Sequence, residues 1–299
     1  MPVRRLLSAV AMVIAPLTAT AQAGDVPGLP ERSFSSAGVP ITYVDSGRGP
    51  VVVLLHGNGS HLRWWYRNGV APQLARRFRV IAFDARGHGR SGKPHDPAAY
   101  GKEYALDVVR LLDHLGIRRA HIVGYSMGAM TTVQLLTLHP ERAITAVLGG
   151  AAGRISPSPA FEAQMEKEAA ERERDCISRS QVNRLMPPGT PPMTDSAFQS
   201  QRAICLADPF MDGKALGAAS RSAGLNTITE AQVAAIRVPM FGVVGAQDPY
   251  VTDFEKFGRW NPLLKAVTVP GGTHYSVFRE PGPLLAAIET WLLMHADRP

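Results

Sequence analysis

The chain has 299 residues, of which 45% are hydrophobic, with charges of both signs spread along it. That length can bury a large core, and the composition excludes a disordered or fibrous protein. The formal charge of +7 falls to +5 once Arg4 and Arg5 are set aside, and residues 162–184 mix Glu, Lys, Asp and Arg along one solvated helix-like run; this mixing excludes a basic nucleic-acid patch.

Arg4 and Arg5 precede the apolar run Leu6 to Thr18, and Ala21-Gln22-Ala23 has the small-x-small pattern of a signal-peptidase cut, so a mature chain is expected from Gly24. The run is shorter than the about 20 residues a membrane span requires. Residues 1–23 are therefore expected to be a cleaved leader and the protein secreted or periplasmic, with no stable membrane insertion after cleavage; an uncleaved anchor is the alternative. The two cysteines, Cys176 and Cys205, are expected to be bridged in an oxidising compartment, the alternative being two buried thiols.

In chain order, Arg32–Ser36 and Ile41–Val44 flank a Gly-Pro turn and suggest a hairpin. Val51–Leu55, Arg79–Phe83, His121–Val123, Ala143–Leu148, Met240–Val244 and Ala266–Val269 are apolar runs that suit strands buried on both faces. Helical patterns lie between them. Tyr104–Leu115 has apolar residues at 106, 109, 112 and 115, Met127–Leu138 ends at His139-Pro140, and Pro283–Met294 closes the chain. Alternating strands and helices predict an α/β protein with a mostly parallel sheet covered on both faces. From Ala152 to Ile236 no buried-strand pattern occurs. The expected organisation is a core of 24–151 and 237–299 with a helical cap, 152–236, inserted at the sheet's C-terminal edge.

Gly124-Tyr125-Ser126-Met127-Gly128 is a Gly-x-Ser-x-Gly motif between a buried strand and a helix. In that setting the serine sits on a sharp turn whose neighbours have no room for Cβ atoms, and its hydroxyl projects above the sheet. The Met127 N–H then heads a helix, where positive potential favours an oxyanion. His56-Gly57-Asn58-Gly59 follows the first buried strand, and the Asn58 N–H is the second expected oxyanion donor; the absence of a following Lys-Ser/Thr argues against a phosphate loop.

Of nine histidines, His274 follows the last strand through Pro270-Gly271-Gly272-Thr273 and comes after Ser126, as the order Ser…Asp…His requires. His56, His88 and His139 read as structural or solvated. Asp248 ends a strand and is the expected acid; Asp84 also ends a strand and is its rival, although it precedes Ser126.

The segments His56–Gly59, Phe83–Ser91, Gly124–Gly128, Gly245–Asp248 and Gly272–His274 together resemble the α/β-hydrolase superfamily over the mature chain apart from the cap. The resemblance implies an eight-stranded, mostly parallel sheet with an inserted helical cap. It also implies a serine hydrolase of the kind that includes esterases, enol-lactonases and carbon–carbon bond hydrolases. Ser126 separates it from the dehalogenase and epoxide-hydrolase branches, which place Asp there. Acyl transfer through Ser126, Asp248 and His274 requires no metal or organic cofactor. The expected partner is a small, partly apolar substrate held among Trp64, Trp65, Tyr125, Met127, Tyr275 and Phe278. Carbon–carbon bond hydrolysis or perhydrolysis would use the same triad, and a non-catalytic periplasmic binding or signalling protein is the alternative of another class.

Overall fold

The computed structural model describes residues 28–155, 158–279 and 281–296; the expected leader lies outside them. Eight strands form one sheet: β1 (Arg32–Ser36), β2 (Val39–Gly47), β3 (Val51–Leu55), β4 (Arg79–Phe83), β5 (Ala120–Tyr125), β6 (Ala143–Gly149), β7 (Met240–Gly245) and β8 (Leu264–Val269). Their spatial order is β1-β2-β4-β3-β5-β6-β7-β8. The β1–β2 hairpin pairs antiparallel, β2 also runs antiparallel to β4, and every pair from β4 onward is parallel. Ala37 and Gly38, both at positive φ, make the two-residue hairpin turn whose twist matches that of the strands.

The central strands carry β-branched and aliphatic residues on both faces because both faces are covered. Val53, Leu55, Ile81, Phe83 and Ile122 point into one core, shared with α3 (Glu103–His114), α4 (Met127–Leu138) and α10 (Val251–Trp260). Val52, Leu54, Val80, Ala82 and Val123 point into the other, which is closed by α1 (Arg63–Arg67), α2 (Val70–Leu74) and α11 (Gly282–Leu293). The expected helices at 104–115, 127–138 and 283–294 thus occur within one residue of their predicted ends.

Two expectations need correction. The strand expected at 266–269 is not buried on both faces: it runs from Leu264 to Val269 at the edge of the sheet, where only β7 pairs with it among the described residues, and Lys265 to Thr268 are exposed. The deepest face of α3 is Tyr104, Ala105, Val108, Leu111 and Leu112, and it includes Asp107, whereas the apolar stripe suggested 106, 109, 112 and 115. Asp107 is inside because the Arg86 guanidinium grips both of its oxygens, at 2.7 and 2.6 Å. A carboxylate paired in this way tolerates burial.

Between β6 and β7 the chain forms α5 (Pro159–Asp175), α6 (Arg179–Arg184), α7 (Asp195–Ala207), α8 (Gly213–Arg221) and α9 (Glu230–Ala235). These helices make up the inserted cap. A Cβ on Gly213 would lie 2.3 Å from the Arg172 carbonyl, so the absence of a side chain there lets α8 pack directly on α5. Cys176, the left-handed C-cap of α5, is disulfide-bonded to Cys205 in the last turn of α7, with Cα atoms 5.9 Å apart. The bridge closes a loop spanning 29 positions.

Replacing both cysteines by serine is expected to lower the unfolding free energy by about 3–4 kcal/mol in the chain-entropy account, read as a fall in the urea midpoint. An unchanged midpoint would mean that the cap gains nothing from the bridge.

Candidate active site

β5 ends at Tyr125, α4 begins at Met127, and Ser126 between them is held at φ 54° and ψ −113°. A side chain rarely adopts this region unless its surroundings enforce it. Here the surroundings are backbone. A Cβ on Gly128 would stand 2.1 Å from the Leu55 carbonyl oxygen, and one on Gly124 would stand 2.3 Å from that of Gly128. The Ser126 N–H donates to the Gly149 carbonyl at 2.7 Å, tying the turn to the neighbouring strand.

The expected acid and base, Asp248 and His274, arrive on loops at the ends of β7 and β8. These loops touch at glycines: a Cβ on Gly245 would lie 2.3 Å from the Gly272 carbonyl, which accepts the Gln247 N–H at 2.8 Å. The result brings together the three residues singled out from the sequence. His274 Nδ1 lies 2.9 Å from Asp248 Oδ2, and His274 Nε2 lies 3.0 Å from Ser126 Oγ. A carboxylate only accepts, so Nδ1 carries the proton and Nε2 keeps a lone pair for the serine hydroxyl. Asp248 and His274 are buried, and the second Asp248 oxygen accepts the Tyr250 N–H at 2.9 Å. The Tyr125 hydroxyl donates to the His274 carbonyl, fixing the base loop from below.

Asp84 does not belong to this line. Its oxygens accept the Leu62 and Arg90 N–H groups, each at 2.7 Å, and Arg63 lies 3.8 Å away; it organises two loops. His139 makes a surface contact with Glu141.

Two cavities open on Ser126. One, of about 250 Å³, is lined by Trp64, Tyr125, His274 and Tyr275 among others, so the three residues expected at the pocket, Trp64, Tyr125 and Tyr275, do meet there. The other, of about 60 Å³, reaches Asn58, Met127, Met130, Arg154, Glu168 and Arg184. Trp65 and Phe278 line neither cavity. Both are fully buried in the core behind Trp64, with their rings 6.1 Å apart.

Sequence reasoning missed Tyr250, Arg154, Glu168 and Arg184. Tyr250 lies two residues beyond the acid and could have been found by that position. The cap residues carried no signal, because only the packing of the insertion brings them to Ser126.

The chain was compared with known proteins. Residues 50–281 match the family described as alpha/beta hydrolase fold. The 3-oxoadipate enol-lactonase 2 of Acinetobacter baylyi is 28% identical over 223 residues, which is 74% of this chain and 80% of that enzyme. The 2-hydroxymuconate semialdehyde hydrolase of a Pseudomonas species is 39% identical over 128 residues, only 42% of this chain and 45% of that one. A hydrolase from Pseudomonas aeruginosa has a similar crystal structure, with a TM-score of 0.71 at 26% identity, covering 90% of this chain and 99% of the other. Sheet order, strand-to-helix turn and family match agree: the chain belongs to the α/β hydrolase fold family.

The loop beside Ser126 depends on a neutral His56 imidazole. His56 Nε2 accepts the Ala85 N–H at 3.1 Å while its Nδ1–H donates to the Gly57 carbonyl at 2.8 Å. Burial pulls the His56 pKa down from 6.5 to about 4, against a smaller upward pull from the Gly57 carbonyl. His88, also pulled down by burial, contacts Asn58 at 3.1 Å. Because the folded pKa of His56 is depressed, the unfolded chain binds more protons between the two values, and folding stability falls as pH drops from 6.5 toward 4. The loss attributable to His56 is on the order of 3 kcal/mol below that window. Thermal unfolding midpoints of wild type should therefore decline across this range, and His56→Asn should flatten the decline; parallel profiles would refute the assignment.

Proposed function

We propose that the chain is a serine hydrolase that cleaves a carboxylic ester or lactone of a small, partly apolar substrate through an acyl-enzyme on Ser126. The observation that carries this reading is the continuous line from Ser126 Oγ through the His274 imidazole to the Asp248 carboxylate, with contacts of 3.0 and 2.9 Å.

In the first half-reaction Nε2 of His274 takes the hydroxyl proton as Oγ bonds to the substrate carbonyl carbon. The carbonyl electrons move to oxygen, where the Met127 and Asn58 N–H groups are the proposed donors. Met127 N heads α4 and so has no partner within its own helix. The imidazolium, stabilised by Asp248, then hands its proton to the leaving alkoxide as the carbon–oxygen bond breaks. In the second half-reaction water gives a proton to Nε2 and its oxygen attacks the acyl carbon. The proton returns to Ser126 as the acid departs.

The relatives named as an enol-lactonase and a semialdehyde hydrolase support a hydrolytic role. The Cys176–Cys205 bridge supports work outside the cytoplasm, where disulfides persist, in keeping with the leader expected at 1–23.

A fluorophosphonate probe should label wild type at Ser126 and leave Ser126→Ala unlabelled. Ester turnover should fall by about 10⁴-fold or more in Ser126→Ala and by about 10³–10⁴-fold in Asp248→Asn. Ser126→Ala activity within about tenfold of wild type would overturn the mechanism, since such a group cannot be the nucleophile.

A further inference from the structure

The smaller cavity beside Ser126 holds charge that the triad does not use. Arg154, from the segment after β6, faces it together with Arg184 and Glu168 of the cap. Glu168 is buried and committed to Arg184, accepting from Nε at 2.8 Å and from Nη2 at 3.1 Å, while Arg184 Nη1 donates to the Tyr250 hydroxyl at 2.8 Å. That pair is neutral as a unit.

Arg154 is different. Its contacts are the Ala223 carbonyl at 2.8 Å, the Met130 sulfur at 3.5 Å and the face of Phe161 at 4.6 Å. No carboxylate of the described residues lies within ion-pair distance of it. Desolvation pulls its pKa down from the ordinary arginine value, opposed by Tyr250 and Glu168, yet a guanidinium remains charged at any ordinary pH. A half-buried guanidinium that has no carboxylate partner of its own at the junction of cap and core gains from an anion that joins it. Arg154 also lines a larger cavity of about 830 Å³, which has Met130, Phe161 and Trp260 on its walls and also carries Glu230, Asp253 and Lys256, the last two 3.9 Å apart. Arg154, Met130 and Tyr250 are common to both spaces.

The two cavities at Ser126 divide the substrate. The leaving alcohol must take its proton from His274, so it occupies the chamber that His274 lines. The acyl part then points into the space that Ser126 shares with Arg154.

Resting on the hydrolase reading above, we propose that Arg154 is a specificity-determining residue that receives a carboxylate at the far end of the acyl group, so that the favoured substrates are half-esters of dicarboxylic acids. The apolar walls contributed by Met130, Met165 and Leu185 suit the methylene spacer between the two carboxyl carbons, and the guanidinium suits the terminal carboxylate.

The test pairs methyl half-esters of succinate, glutarate and adipate with methyl esters of the matching monocarboxylic acids, assayed on wild type, Arg154→Gln and Arg154→Lys. Wild type should favour at least one half-ester over its neutral partner by about tenfold or more in kcat/KM, the scale of one charge-assisted hydrogen bond. Arg154→Gln should bring that ratio to about unity, and Arg154→Lys should restore part of it. A merely structural arginine would lower both members of each pair in proportion and leave the ratio unchanged, which would overturn the proposal, as would a wild type without preference. Glutarate binding by calorimetry decides the same point without turnover: loss in Arg154→Gln but not in Arg154→Lys supports the assignment, and equal binding by all three proteins refutes it. Fluorophosphonate labelling of the same samples reports on Ser126 separately, so failure of the hydrolase reading and failure of the Arg154 assignment give different patterns.

Discussion

Everything at the site depends on one close approach, the backbone of the nucleophile turn against the end of β3. The Leu55 carbonyl leaves no space for a Cβ at position 128, and the Gly128 carbonyl leaves none at position 124. With both side chains absent, α4 can start immediately beyond β5, and Ser126 is forced to φ 54° with its hydroxyl clear of the sheet. The unfavourable dihedral is held by the packing around it, since α4 is buried from Gly128 to Leu136 apart from Met130. Strain at Ser126 is thus supported by the larger of the two cores that flank the sheet.

The acid–base half of the site follows a similar rule with different parts. β7 and β8 are adjacent and parallel, so their C-terminal loops emerge side by side, and Gly245 against Gly272 lets them touch. Tyr125, the residue before the nucleophile, donates to the His274 carbonyl. One residue therefore connects the turn carrying the serine to the loop carrying the histidine, while its ring walls the larger chamber at Ser126. Loop positioning and the shape of the chamber are not separable at that residue, and a change there would disturb both.

The core fold and the meeting of Ser126, Asp248 and His274 were legible in the sequence because each rests on short-range rules. Continuous β-branched runs mark strands buried on both faces, and glycines at 124 and 128 mark a turn that only they permit. Chain order then separates Asp248 from Asp84, and the structure accounts for the rival: a carboxylate accepting two backbone N–H groups is a loop organiser. What was not legible depends on pairing across space. Asp107 sits in the core because Arg86 and the Ser36 hydroxyl reach it across the chain, and β8, at the edge of the sheet, leaves Lys265 to Thr268 exposed. Trp64 and Trp65 are sequence neighbours with opposite fates, one lining the chamber and one fully buried, and a pattern of two adjacent aromatics does not say which is which.

The cap is the part whose meaning comes entirely from packing. Its helices expose mostly polar residues, with Ile204 and Leu206 of α7 also exposed, while Glu168 and Arg172 of α5 are buried and Arg184 pairs with Glu168. Arg184 joins the cap to the acid loop through Tyr250, whose N–H in turn holds Asp248. The same insertion that roofs the cavities thereby buttresses the carboxylate that orients the base. Such a linkage makes cap position and triad geometry interdependent: a cap lifted away would break the Arg184–Tyr250 contact and loosen the loop that carries Asp248. The Cys176–Cys205 bridge ties α5 to α7 at the end of the helix that carries Glu168 and Arg172. A covalent tie there limits how far those charges can drift from Ser126, which is what a roof made of buried ions requires if it is to present one arrangement of charge to whatever enters.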